Sequence, residues 1–193
     1  MFKILVTPNS KLLEKSSPVT LFDRKLAKEI SKMKKTLSAT RDPVGVGLAA
    51  PQVGIFKRMF IARPQENGKI LTFINPEIIT SSGEKKVPSF TNSKKIEAKK
   101  PAKSKKRLLE GCLSVPNIWG NVARKKEIKL RYQDVAGKEN IQNFSGFDST
   151  IIQHELDHLN GILFTKHVLE QKEQLYRSYK NAAGEDEFEE IEV

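Results

Sequence analysis

The chain has 193 residues, 38% of them hydrophobic, which suits one globular domain and excludes wholesale disorder. Its single cysteine excludes an intramolecular disulfide and fits a reducing compartment, where such a thiol is a buried core residue, a nucleophile or a metal ligand. The net charge of +11 is unevenly placed: residues 85–107 hold nine Lys and one Arg against one Glu, while Glu185 to Val193 holds six acids and no base, so the remainder is close to neutral.

No apolar run approaches membrane-spanning length, and the first residues lack a charged stretch leading into a long apolar one, so a cytoplasmic, non-membrane protein is expected. Residues 2–6 read as a short strand. Thr20 and Asp23 have the spacing of a capping box, and Phe22, Leu26, Ile30, Met33 and Leu37 then recur at helical spacing, predicting an amphipathic helix over about 20–38. Asp42-Pro43 ends it. A small-residue stretch, 44–54, precedes strands at about 56–62 and 70–75; Asn75-Pro76 breaks the second, with Glu77–Thr80 as its resumption. The lysine-rich residues 81–107 show no periodicity and read as a long loop, an insertion at about 84–108. Ile128, Leu130 and Tyr132 alternate with polar residues in a strand, and Ile141–Phe144 pairs back as a hairpin arm. Ser149 to Leu159 predicts a second helix, and 166–181 a third. A single folded domain is expected to span 1–181 and to be followed by a disordered acidic tail, 182–193.

His154-Glu155-Leu156-Asp157-His158 has the HExxH form. On a helix, residues four apart share a face, so both imidazoles can grip one metal while Glu155 serves as general base. The alternative is two surface histidines on a charged helix, but the flanking Ile151, Ile152, Leu156 and Leu159 predict burial. Catalytic centres of this kind usually have a third protein ligand. A metzincin would place a histidine where Phe164 stands, and a gluzincin would draw on Glu170 or Glu173, both in a polar stretch. Upstream lies Glu110-Gly111-Cys112-Leu113-Ser114, whose cysteine taken alone reads as a small core residue.

Together with Gly45-Val46-Gly47-Leu48-Ala49-Ala50-Pro51-Gln52 and Gln153-His154-Glu155-Leu156-Asp157-His158, that segment resembles the peptide deformylase family, with the three motifs in the family's order. The resemblance covers roughly 3–170 apart from the lysine insertion. It implies an α+β fold in which antiparallel or mixed sheets surround a central metal-bearing helix, with an amphipathic helix before it and a C-terminal helix after. It also implies hydrolysis of the formyl group on the N-terminal methionine of nascent chains, releasing formate. Cys112, His154 and His158 would bind one divalent metal, natively Fe(II), with zinc, nickel or cobalt as alternatives. Glu155 would move the proton of the attacking metal-bound water, and the Gln52 amide and Leu113 N–H would donate to the oxyanion. Val46, Gly47, Leu113 and Ile151, with His154, would line the substrate site. Ser149 and Thr150 depart from the family's usual Ala-Arg, and Trp119 stands where an aromatic or arginine is usual. Glu110 is expected beside the site in a supporting role, Asp157 as a tether of the metal helix, Arg124 as either an internal ion-pair partner or a surface residue, and His167 as ordinary. A monomer is expected, acting at the ribosome near the exit tunnel, with the basic 85–107 loop attracting ribosomal RNA. The competing readings are a zincin-like peptidase, opposed by Phe164, and an inactive ribosome-binding module, opposed by the intact metal and Glu155 positions.

Overall fold

A computed structural model describes residues 1–63, 68–84, 109–182 and 184–192. Among the described residues the framework is two antiparallel sheets and three α-helices. The first sheet orders its strands β1 (Gly47–Ala49), β2 (Met59–Ala62), β3 (Leu71–Glu84), β6 (Lys125–Gln133) and β7 (Glu139–Ser145). The second orders β4 (Glu110–Cys112), β5 (Val115–Gly120), β8 (Leu175–Lys180) and β9 (Asp186–Ile191). The helices are α1 (Arg24–Ala39), α2 (Gly146–Leu159) and α3 (Phe164–Glu170). This is the expected α+β class, with α2 as the central helix. Among the described residues no helix is long and apolar enough to cross a membrane.

Strand β2 explains how the five-stranded sheet holds two helices. All four of its residues are buried, so its sequence shows no alternation. Met59 and Ile61 pack with Leu26, Ile30, Met33 and Leu37 of α1. Phe60 and Ala62 point to the other face, against Ile151, Ile152, Leu156 and Leu159 of α2, together with Phe73, Leu130 and Phe144. Each fully buried aliphatic or aromatic side chain contributes about 1.5–3 kcal/mol, so α2 is seated mainly by hydrocarbon. It ends where Gly161 takes φ 71, allowing the Ile162 N–H to return to the Asp157 carbonyl at 2.9 Å. A third cluster joins Val115, Val122 and Leu175 to Phe164 and Val168 of α3.

Five expectations change. Residues 2–6 form no strand: the Leu5 N–H reaches the Gln52 carbonyl at 2.8 Å and the Thr7 N–H the Ser114 carbonyl at 2.9 Å, so this segment crosses two elements instead of pairing along one. The first helix starts at Arg24 because Asp23 is its N-cap, accepting from the Leu26 N–H at 2.8 Å. Strand β3 continues past Asn75-Pro76 to Glu84, because Asn75 adopts φ 50 at a register shift and its side chain is held by Val19 and Gln133; residues 81–84 are therefore strand. The helix expected over 166–181 stops at Glu170, since Leu175 and Tyr176 are buried in a strand pairing with β5. The expected disordered tail contains β9, which pairs with β8 from Leu175↔Ile191 to Lys180↔Asp186. Its acids are exposed while its backbone is held in the ladder, and the β8–β9 hairpin straddles the expected boundary at 181/182. The lysine-rich expectation for 85–107 lies outside the described residues.

Candidate metal centre and active site

Helix α2 carries His154, Glu155 and His158, and β4 carries Cys112 on the other side. One ligand atom from each of Cys112, His154 and His158 lies within 4.8 Å of the others. Cys112 Sγ is 3.2 Å from His158 Nε2. A tetrahedral cation with bonds of roughly 2.3 Å to sulfur and roughly 2.0 Å to nitrogen would separate such atoms by about 3.5 Å, so the trio fits one ion of this kind. The donor set fits as well: a thiolate with two imidazoles suits zinc, iron, nickel or cobalt and disfavours magnesium or calcium. The open side of the trio faces a cavity of about 250 Å³ whose walls include Gly45, Val46 and Gly47 opposite Gly111, Cys112 and Leu113. Gln52, Ile151, His154 and Glu155 line it too. All nine residues expected at the site are thus brought together.

Charge holds the trio in a form ready for a cation. Burial opposes ionisation of the Cys112 thiol, but the imidazoles of His158 and His154 outweigh it and hold the thiol well below its ordinary value. Burial likewise opposes charge on His154, yet its contacts with Cys112 and Glu110 raise it well above the usual imidazole range. Both shifts run in the direction that favours a thiolate, the form in which Cys112 would hold a cation.

Glu110 and Arg124 support this arrangement. Glu110 Oε2 lies 3.1 Å from His154 Nδ1, turning the other ring nitrogen away from the carboxylate. The same carboxylate accepts twice from Arg124, at 2.9 and 3.0 Å. Arg124 Nη1 also donates to Asp157 Oδ2 at 2.6 Å, and His167 Nε2 is 2.9 Å from that oxygen. Burial would raise the Glu110 carboxyl, but His154 and Arg124 pull it down to about 2. Arg124 is an internal ion-pair partner, and His167 reaches the tether on Asp157.

Glu155 is different. It is almost fully buried, and its Oε2 has no hydrogen-bond partner among the described residues. Burial, the first cause, pushes its carboxyl up to about 7, with the neighbouring Cys112 and Asp157 charges acting the same way and the histidines against them. A cation in the site would pull the value down. Gly47 makes room for this carboxylate, because any Cβ there would collide with Glu155 Oε1.

Gln52 is buried in a 3-10 turn, Ala50–Val53. Its Oε1 accepts from the Ala49 N–H at 2.8 Å, which sets the amide orientation. Its Nε2 then donates to Ser114 Oγ at 3.0 Å and lies 3.6 Å from Cys112 Sγ. Leu113 occupies the turn between β4 and β5, facing the cavity. Sequence reasoning passed over Ser114 as a partner of Gln52 and Phe147 at the cavity mouth. Ser114 belongs to the Glu110–Ser114 motif, whereas Phe147 carried no signal beyond its place in the first turn of α2.

A buried helix that offers two imidazoles and a carboxylate to a thiolate on a neighbouring strand, at the floor of a cleft, places the molecule among the metal-dependent hydrolases of the HExxH type. Comparison with known proteins gives the family. The chain belongs to the polypeptide deformylases, whose family it matches over residues 1–174. It is 35% identical over 177 residues to the peptide deformylase of Thermotoga neapolitana, covering 92% of this chain and 93% of that protein. It is 35% identical over 166 residues to peptide deformylase 1 of Bacillus subtilis, covering 86% and 89%. Among solved structures it resembles the Thermotoga maritima peptide deformylase with a TM-score of 0.68 and 34% identity, covering 86% of this chain and 97% of that one. An inhibitor complex of the Plasmodium falciparum enzyme gives a TM-score of 0.67 and 33% identity, covering 88% and 93%.

Proposed function

We propose that this protein removes the formyl group from the N-terminal formyl-methionine of nascent polypeptides, releasing formate. The observation that carries the reading is the meeting of Cys112, His154 and His158 at the floor of a cleft that Glu155 and Gln52 also face. Cys112, His154 and His158 would hold one divalent ion, Fe(II) in the native enzyme, with zinc, nickel or cobalt able to substitute. Such an ion, when bound, polarises the formyl oxygen and lowers the pKa of water at the site. The chain's own residues do the rest. Glu155 takes a proton from the attacking water on its free carboxylate oxygen and returns it to the departing amine nitrogen. The Gln52 amide, already oriented by Ala49, donates to the oxyanion, and the Leu113 N–H is the second donor. Val46, Gly47, Leu113 and Ile151 bind the methionine and its backbone and exclude bulk water.

The test is formate release from formyl-Met-Ala-Ser by anaerobically purified protein. Wild type should release formate, and Glu155→Ala should lose roughly 10²–10⁴-fold in rate. An unformylated peptide should stay intact, which separates this activity from a zincin-like peptidase. No formate from the metal-loaded wild type sinks the reading.

We also infer that the enzyme acts as a cytoplasmic monomer at the ribosomal exit, where residues 85–107, net +9 from nine Lys and one Arg against one Glu, would attract RNA. Deleting 85–107 should weaken ribosome co-sedimentation in a salt-dependent way; unchanged binding at low salt sinks that idea. The catalytic domain would span residues 1–181 with the lysine-rich insertion at about 84–108, and β9 would extend it.

A further inference from the structure

The β8–β9 hairpin lies almost wholly beyond the family match, which ends at residue 174. It nonetheless reaches the cleft through Trp119. Strand β5 pairs with β4 on one side and β8 on the other, so Gly111, Trp119 and Tyr176 form one cross-strand row. Residues opposite one another in an antiparallel ladder share a face. On that face, two residues further along β8, stands Ser178, opposite Phe188 of β9. The Trp119 Nε1–H donates to Ser178 Oγ at 3.0 Å. The Phe188 ring meets the indole edge-to-face, with centroids 6.0 Å apart at 83°. On its other flank the indole lies over Gly111, where an added Cβ would come within 2.7 Å of two ring carbons.

The indole is therefore gripped at its N–H and its edge by the hairpin, while Trp119 itself lines the cleft. Gly111, beneath it, immediately precedes Cys112 on β4. The methionine is assigned above to Val46, Gly47, Leu113 and Ile151, which leaves Trp119, lying over Gly111 on another part of the same cleft wall, to meet the peptide residue that follows.

The geometry points to the β8–β9 hairpin as part of substrate recognition: Ser178 and Phe188 are positioning residues that hold Trp119 as an apolar platform for the peptide residue following the formyl-methionine. This role rests on the deformylase reading above. An aromatic face here favours an apolar or extended residue and discriminates little among polar ones. Because the platform touches only the downstream residue, its loss should raise KM for peptides and spare a substrate that ends at methionine.

The experiment compares the holoenzyme with Phe188→Ala, Ser178→Ala and the conservative Phe188→Tyr, using formyl-Met-Leu-Ser and formyl-methionine methylamide. Tyr179→Phe, on the same hairpin but paired outward with Glu187 at 2.9 Å, is the control. Trp119 is the chain's one tryptophan, so intrinsic fluorescence reports this ring alone. Phe188→Ala and Ser178→Ala should raise KM for the tripeptide about three- to tenfold, the size of one aromatic contact, with kcat within about twofold. The methylamide KM should stay put, acrylamide should quench Trp119 more readily, and Phe188→Tyr should restore both. Should Phe188→Ala fail to fold, Ser178→Ala carries the same comparison. Equal KM changes for the two substrates, or none, overturn the proposal even if the fluorescence moves, as does fluorescence that stays at the wild-type value. If wild type releases formate from neither substrate, the deformylase reading falls and this inference with it; if wild type is active and only the variant comparison fails, this inference falls alone.

Discussion

The two halves of the metal centre are held in place by opposite physics. The helix half, His154, Glu155 and His158 on α2, is seated by Ile151, Ile152, Leu156 and Leu159 against the five-stranded sheet. The strand half, Cys112 on β4, packs in a smaller apolar cluster with Val115 and Phe164, and its strand is tied to α2 by charge: Glu110, Arg124, Asp157 and His167 form one chain of contacts no longer than 3.1 Å. Burial of hydrocarbon tolerates changes of pH and partial loss. A buried charge network tolerates neither, because removing one member strands the others in low dielectric. The difference teaches where this enzyme should be fragile. The helix should keep its place when conditions change, and the ligand partnership between helix and strand should fail first.

The sharpest way to break the comparison is to cut each half once. Arg124→Ala leaves the Glu110 and Asp157 carboxylates buried without their shared cation and should cost about 3–5 kcal/mol in urea denaturation. Leu156→Ala removes hydrocarbon from the other half and should cost about 2–5 kcal/mol. The totals overlap, so the discriminating readout is metal affinity by competition with a chelator. Arg124→Ala should weaken it at least tenfold through Glu110 and His154, and Leu156→Ala should do so far less. Equal effects on affinity would show that the two halves are not held differently.

Acid should separate the halves next. Glu110 has a folded value of about 2 against an ordinary 4.5. A carboxyl depressed in the fold stabilises above its unfolded value, and that contribution is lost as pH falls from about 4.5 to about 2. The shift corresponds to on the order of 3 kcal/mol at neutral pH. Denaturation followed between pH 6 and 2 should show wild type losing stability across this window. Glu110→Gln should lie below wild type at pH 6 and converge with it near pH 2. A constant gap between the two curves would remove the ion network from the account.

A smaller perturbation tests how tightly the halves meet. Gly47→Ala pushes a methyl into the Glu155 carboxylate from β1. Glu155 must then shift, and a displacement of about 1 Å can cost on the order of 10²-fold in rate. We expect kcat for formyl-Met-Ala-Ser to fall at least tenfold while metal content, measured by mass spectrometry, stays at one per chain. Loss of the metal as well would place Gly47 in support of the ligands, not of the proton carrier.

The same contrast explains what could be read from the chain. The HExxH spacing and its apolar flanks report local periodicity, so α2 and two ligands were legible. Cys112 was not legible by itself and became so only through resemblance, because it and His158 are 46 residues apart in sequence. The Glu110–Arg124 pairing depends on where β4, β5 and the start of β6 lie in space, which composition does not encode. The acidic residues of β9 suggested disorder because charge was weighed and backbone pairing was invisible. An edge strand can carry Asp186, Glu187, Glu189 and Glu190 outward, and such charge also guards the open edge against foreign strands. The helix expected over 166–181 failed for a related reason: Leu175 and Tyr176 have their partners, Gly120 and Trp119, across a ladder that local sequence does not show.

The smallest expected effect concerns the Ser114 hydroxyl; the backbone N–H of the same residue donates to Cys112 Sγ at 3.4 Å and is kept in an alanine variant. Gln52 Nε2 donates to Ser114 Oγ at 3.0 Å, and the Thr7 N–H holds the Ser114 carbonyl. Ser114→Ala removes the hydroxyl and leaves the Gln52 carbonyl pinned by Ala49. The amide therefore keeps its plane and its contact with Cys112 Sγ but loses one hydrogen bond, worth about 1 kcal/mol. That corresponds to a fall in kcat of about fivefold, with KM and metal content unchanged, against the 10²–10³-fold expected when an oxyanion donor is lost outright by Gln52→Ala. If Ser114→Ala falls as far as Gln52→Ala, the serine is itself a donor to the reacting oxygen, and the strand half takes part in the chemistry as well as in binding the metal.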